Sequence, residues 1–206
     1  MSLTIRPATP DDAELILRFI TELAIYEKAE HEVKTDAAGT FLLAQADGRY
    51  RNRCDVFAPQ GAHLWQDKLQ LTGFEKGLGV IEGGDALKVF DLDGVRTGVA
   101  VCYDSEFPLP VRAQAEAGAR LLLVPSCTDT DAGATRVRVG CLARALENRL
   151  FLAYANACGR EGDLHYNGLS QVNAPDGSTL AQAGEGEALL RATLSPALLS
   201  AAPAAQ

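Results

Sequence analysis

Gly98-Val99-Ala100-Val101-Cys102-Tyr103-Asp104-Ser105-Glu106-Phe107-Pro108 is the stretch on which the fold turns. Thr97 to Tyr103 is an apolar run, the pattern of a strand buried on both faces. A polar turn follows, then a helical segment from Pro108 to Ala119 that closes at Gly118-Ala119. Cys102 is thus predicted at the C-terminal end of a buried strand, on a strand-to-helix corner. Such a corner holds a side chain at the rim of a sheet and points the N–H groups that open the helix at an incoming anion. The helix dipole also lowers the pKa of a thiol there. On spacing alone a core cysteine at a strand end is the commoner outcome, because buried cysteines are mostly inert.

Working outward, Arg120 to Ser126 and Leu150 to Asn156 read as two more buried strands, with a long helix from Thr135 to Asn148 between them. Upstream, Arg53 to Ala58 is a short strand turned by Pro59-Gln60-Gly61, and Ala86 to Leu92 alternates before Asp93-Gly94. Downstream, Gly168 to Ala174 and Ser178 to Ala181 flank Pro175-Asp176-Gly177 as a hairpin, and Ala188 to Leu194 is a last strand. Near the start, Leu3 to Ile5 alternates, Thr9 is placed to cap a helix with Pro10 at its first position, and Ala13 to Lys28 has helical apolar spacing. Strands alternating with helices predict an α/β layered fold. Residues 201–206 are expected to fray.

The 206 residues carry a net charge of −8. An acidic surface repels phosphate backbones, so a nucleic-acid partner is not expected. No apolar run approaches the roughly 20 residues that cross a bilayer, and Met1 to Arg6 does not open like a signal peptide, so no membrane partner and a cytoplasmic location are expected. The five cysteines form no CxxC pair and have no histidine at zinc-ligand spacing, which predicts no metal. Cys54, Cys127, Cys141 and Cys158 are assigned to packing, and His165 to a polar loop without a partner.

The segment around Cys102 closely resembles the nucleophile segment of the nitrilase, or carbon–nitrogen hydrolase, superfamily. The resemblance continues through Arg120 to Ser126, Arg144-Ala145-Leu146-Glu147-Asn148, Ala153-Tyr154-Ala155-Asn156, Cys158 to Gly162 and Ala174-Pro175-Asp176-Gly177. Upstream, Tyr50-Arg51-Asn52 and Trp65-Gln66-Asp67-Lys68-Leu69 resemble the strand and turn that deliver the family's lysine. The resemblance implies a nitrilase-like α–β–β–α sandwich that hydrolyses a small amide, or a nitrile, through a thioester on Cys102. It implies Lys68 and the Tyr103 backbone N–H as oxyanion donors and Glu75, in Leu71-Thr72-Gly73-Phe74-Glu75, as a carboxylate that positions substrate or lysine. By residue type alone Lys68 and Glu75 read as solvated surface groups. Glu147 and Asn148 are expected to do structural work at a helix end, and Glu106 to shape the pocket or favour the next helix. No cofactor is implied, and homo-oligomerisation is.

The family's general base, a glutamate in an upstream Phe-Pro-Glu segment, has no match here. The part of the fold that carries it is therefore expected to be missing or replaced, with weak or absent turnover as the consequence. In its place, Ser2 to Ala13, Glu22 to Lys28 and His31-Glu32-Val33 resemble the opening strand and helix of a GNAT-family acetyltransferase, without that family's Gly-rich cofactor loop. The expected organisation is a GNAT-like fragment over residues 1–43, a partial carbon–nitrogen hydrolase domain over 44–200 and a tail over 201–206. An inactive nitrilase-like binding or assembly module is the alternative function, and acetyl transfer the least favoured.

Overall fold

The computed structural model describes residues 2–5, 34–35, 40–57, 63–161 and 163–200. Along the chain run β1 (Ser2–Ile5), β2 (Lys34–Thr35), β3 (Thr40–Ala44), β4 (Tyr50–Phe57), β5 (His63–Asp67), helix α1 (Gly73–Leu78) and β6 (Ile81–Glu82). β7 (Val89–Leu92) and β8 (Val95–Val99) lead into a 3-10 turn over Cys102–Glu106 and helix α2 (Pro108–Glu116). β9 (Leu121–Ser126), helix α3 (Asp131–Asn148) and β10 (Phe151–Asn156) follow. The remainder is β11 (Cys158–Glu161), β12 (Leu164–Asn167), β13 (Gln171–Asn173), β14 (Thr179–Gln182), β15 (Leu190–Thr193) and a short helix, α4 (Pro196–Ser200). The helix predicted from Ala13 to Lys28, its Thr9 cap and the tail over 201–206 lie outside the described residues.

Two sheets carry the site. In the first, of order β14-β13-β10-β9-β8-β7, the central strands β8, β9 and β10 are parallel and the outer strands antiparallel. In the second, β2, β3, β4 and β5 are antiparallel neighbours, and β6 adds parallel to β4. β3 pairs with β4 over Thr40 to Ala44, so it runs across the 43/44 position expected as a domain boundary.

The alternation of β9 and β10 divides the first sheet's faces. Leu122, Val124, Leu152 and Tyr154 pack with Val111 of α2 and Val137, Cys141 and Ala145 of α3. The opposite face meets the second sheet through Val99 and Phe90 against Val56, with Cys54 and Leu64 alongside. Each fully buried valine or leucine among them contributes roughly 1.5–3 kcal/mol by leaving water. The described residues thus build helix, sheet and sheet layers of the expected sandwich.

The strand predicted from Thr97 to Tyr103 stops at Val99. Extended backbone continues to Val101 and ends at Cys102, whose φ of +50° is left-handed and turns the chain before Tyr103. α3 starts at Asp131 rather than at Thr135, because the Thr130 hydroxyl caps it by accepting the Gly133 N–H at 3.1 Å. His165 lies in β12, within an antiparallel hairpin, and not in a loop.

Candidate active site

Cys102 opens the 3-10 turn immediately beyond β8. A left-handed φ on a residue with a Cβ costs on the order of 1–2 kcal/mol and persists where the surroundings enforce it. The Ser126 hydroxyl, at the end of β9, donates to the Cys102 sulfur at 3.2 Å. Ser126 Oγ also lies 3.0 Å from Thr128 Oγ1, which accepts from the Tyr154 hydroxyl at 3.2 Å. Burial pushes the Tyr154 phenol up to about 12, so it stays protonated and donates. A file of three buried hydroxyls therefore ends on the thiol. Cys141, in the helix-facing core, is pushed by burial up to about 12 and is inert.

Lys68 follows the last residue of β5. Its N–H donates to Asn52 O at 2.8 Å and its carbonyl accepts from Gly84 N at 2.8 Å, so the segment is held between β4 and the chain beyond β6. That approach needs glycine: a Cβ on Gly83 would stand 2.7 Å from Leu69 O. The Lys68 side chain is buried, at 3% residue exposure, and its ammonium lies 2.8 Å from both carboxylate oxygens of Glu75, itself 7% exposed. Glu75 is fixed by a capping box at the start of α1. Thr72 Oγ1 accepts the Glu75 N–H at 3.2 Å, and Glu75 Oε2 accepts the Thr72 N–H at 2.7 Å. Asn52 Nδ2 adds a hydrogen bond of 3.1 Å. Burial pushes the Glu75 carboxyl up, but the Lys68 ammonium and these donors together hold it below the ordinary value.

Asp104 joins the two halves. Its carboxylate accepts N–H groups from Leu69 at 3.1 Å, Gln70 at 2.6 Å and Val101 at 3.2 Å. Burial outweighs these donors and raises its pKa to about 6. The result is one cavity of about 590 Å³ lined by Lys68, Glu75, Cys102 and Ser126, with Asp129 and apolar side chains such as Leu42, Phe74 and Leu164 around them.

The structure thus brings Cys102, Lys68 and Glu75 to one cavity. Tyr103 follows Cys102 in the first turn of the 3-10 segment, where N–H groups lack intrahelical acceptors. Glu106 is ion-paired with Arg136 of α3 instead of lining the cavity. Asn148 donates to Arg144 O at 3.0 Å, which is helix-end work as expected. Cys127, assigned to packing, lines the cavity. Ser126, Asp104 and Thr72 were not singled out by the sequence reading. For Thr72 a signal existed, since Thr-x-x-Glu is the sequence pattern of a capping box.

The carbon–nitrogen hydrolase family profile matches residues 37–204. This chain belongs to the carbon–nitrogen hydrolase family. It is 39% identical over 173 residues to a hydrolase encoded in the pqqF 5′ region of Pseudomonas protegens, covering 79% of this chain and 59% of that protein. It is 32% identical over 192 residues to the 2-oxoglutaramate amidase of Paenarthrobacter nicotinovorans, covering 87% of this chain and 62% of that one. This carbon–nitrogen hydrolase therefore spans about three fifths of the length of these two relatives. Among solved structures, the Nesterenkonia sp. AN1 amidase in complex with butyramide superposes with a TM-score of 0.73 at 26% identity, covering 97% of this chain and 92% of that one. The match to the family profile begins after residue 36. The segment from Arg6 to Val33, which carries most of the GNAT-like resemblance, lies outside both that match and the described residues.

Proposed function

We propose that this chain hydrolyses the carbon–nitrogen bond of a small amide through a thioester on Cys102. The observation that carries the reading is the convergence of Cys102, in a left-handed backbone, with the buried Lys68–Glu75 pair on one cavity. The Cys102 sulfur attacks the amide carbon, a sulfur–carbon bond forms, and the carbon–nitrogen bond breaks as the amine leaves with a proton. Water then cleaves the thioester, releasing the carboxylic acid and restoring the thiol. Two of the three ammonium protons of Lys68 serve Glu75, and the third is available to the oxyanion, with the Tyr103 N–H as the second donor. Glu75 is engaged by Lys68, Thr72 and Asn52, and its lowered pKa makes it a weak base, so its role is to position Lys68.

Amide is favoured over nitrile because relatives carry the names 2-oxoglutaramate amidase and (R)-stereoselective amidase. Glu75 is the one glutamate among the described residues lining the cavity, and it is occupied. That observation favours slow turnover, and it supports the second reading of a nitrilase-like binding module. We likewise propose a GNAT-like segment over 1–43, a hydrolase domain over 44–200, a tail over 201–206, a homo-oligomer and a cytoplasmic location. No helix among the described residues is long and apolar enough to cross a membrane.

The test is ammonia release from butyramide by the purified chain and by Cys102→Ala. Slow release that vanishes in the variant is expected. Release unchanged in the variant overturns the reading.

A further inference from the structure

The charge inventory of the cavity bears on what can enter it. Lys68 is the one cationic side chain among the described lining residues, and Glu75 neutralises it through two contacts of 2.8 Å. Asp129 also lines the cavity, is exposed, and makes no hydrogen bond or ion pair among the described residues. Its position between Thr128 and the Thr130 cap of α3 is fixed from both sides. The Asn156 carboxamide accepts the Thr128 N–H at 2.8 Å, and Thr130 accepts the Gly133 N–H. The described lining therefore holds one uncompensated charge, and it is negative. The rest of the wall is largely apolar: Leu42, Phe74, Leu78, Ile81 and Leu164. The chain's net charge of −8 adds a field of the same sign.

We propose that the cavity takes amides whose acyl chain is apolar and ends in a neutral or cationic group, and turns away those whose chain ends in a carboxylate, with Asp129 setting the discrimination. The proposal rests on the hydrolase reading for the word amide, but not for the charge preference. An anionic tail meets no free cation among the described residues, loses hydration against the apolar wall and approaches Asp129. A cationic tail gains the Asp129 carboxylate on the same lining. One unit charge several ångströms away in a half-screened site shifts an association by roughly 5-fold at low salt.

Two measurements separate the charge preference from turnover. In the first, Cys102 is labelled at low salt with methanethiosulfonates carrying a trimethylammonium or a sulfonate, and the Cys102 peptide is followed by mass spectrometry. Rates are divided by those of a small free thiol. The expected cation-to-anion ratio at Cys102 is roughly 5-fold above the free thiol. It should fall by about that factor in Asp129→Asn and invert in Asp129→Lys. A ratio equal to that of the free thiol, or unmoved by both variants, overturns the proposal. In the second, kcat/KM is compared for butyramide, 4-aminobutyramide and succinamic acid. The last is expected to be the poorest, and Asp129→Asn to narrow the gap. Succinamic acid as the best of the three overturns the proposal. Absence of turnover on all three counts against the hydrolase reading, and the labelling ratio still decides the charge preference.

Discussion

The Asp104 carboxylate accepts the Gln70 N–H at 2.6 Å and so ties the turn that presents Cys102 to the segment that presents Lys68. The same carboxylate also takes the N–H groups of Leu69 and Val101. Two residues proposed to act on one carbonyl, carried by different sheets, are registered by a third that touches neither reacting atom.

Burial raises Asp104 from the ordinary 3.8 to about 6, and this fixes the sign of its pH effect. Between about pH 4 and 6 the folded chain keeps a proton that the unfolded chain has released. Its contribution to stability therefore falls as pH rises through that window, by about 3 kcal/mol in all. Urea unfolding at pH 4, 5, 6 and 7 is expected to show this slope, and Asp104→Asn to remove it. The amide variant also turns a donor toward N–H groups and is expected to lose about 1–3 kcal/mol at pH 5. An identical pH profile in both proteins contradicts the assignment.

Glu75 has the opposite sign. Its carboxyl sits below the ordinary 4.5, so its contribution is complete above that pH and is lost as pH falls below it. Glu75→Ala leaves the Lys68 ammonium buried without its partner, at a cost of about 3–5 kcal/mol. Thermal unfolding at pH 7 is the measurement. Glu75→Gln, which retains the shape of the cap, is expected to lose less stability while still displacing Lys68 and lowering kcat.

Ser126 donates to the Cys102 sulfur and so holds it in place. Ser126→Ala is expected to change the rate of iodoacetamide alkylation at Cys102, at one fixed pH, by roughly 2- to 10-fold, as one lost hydrogen bond implies. Ser126→Thr keeps the hydroxyl and should restore the rate. A Ser126→Ala rate equal to the parent's would remove Ser126 from the site.

The left-handed backbone of Cys102 can be isolated from its chemistry. Cys102→Ala and Cys102→Gly both lack the sulfur, but only alanine retains the Cβ. The glycine variant is expected to be the more stable of the two by about 1 kcal/mol. Equal stability in denaturant titrations indicates that the turn relaxes once the thiol is gone.

Much of this arrangement was legible in the sequence, for reasons that also mark where legibility ended. Leu121 to Val124 and Phe151 to Tyr154 are apolar on consecutive positions, which only a strand covered on both faces sustains, and both were found as β9 and β10. The corner at Cys102 followed from the strand before it and the helix after it. The end of the extended run before Cys102 did not, because one residue's left-handed backbone leaves no periodic trace. Asp104 and Ser126 were missed because their partners, Gln70 and Cys102, lie 34 and 24 residues away along the chain. The sheet topology, not any local pattern, brings them together.

The capping box at Thr72 and Glu75 has a consequence for descent. One carboxylate both seals the first turn of a helix and steadies the ammonium, so selection for a folded chain alone suffices to retain it. A lineage that gave up turnover would go on displaying this glutamate beside its lysine. Persistence of the pair among descendants is therefore a record of architecture, and only the sulfur's own reactivity testifies to a living enzyme.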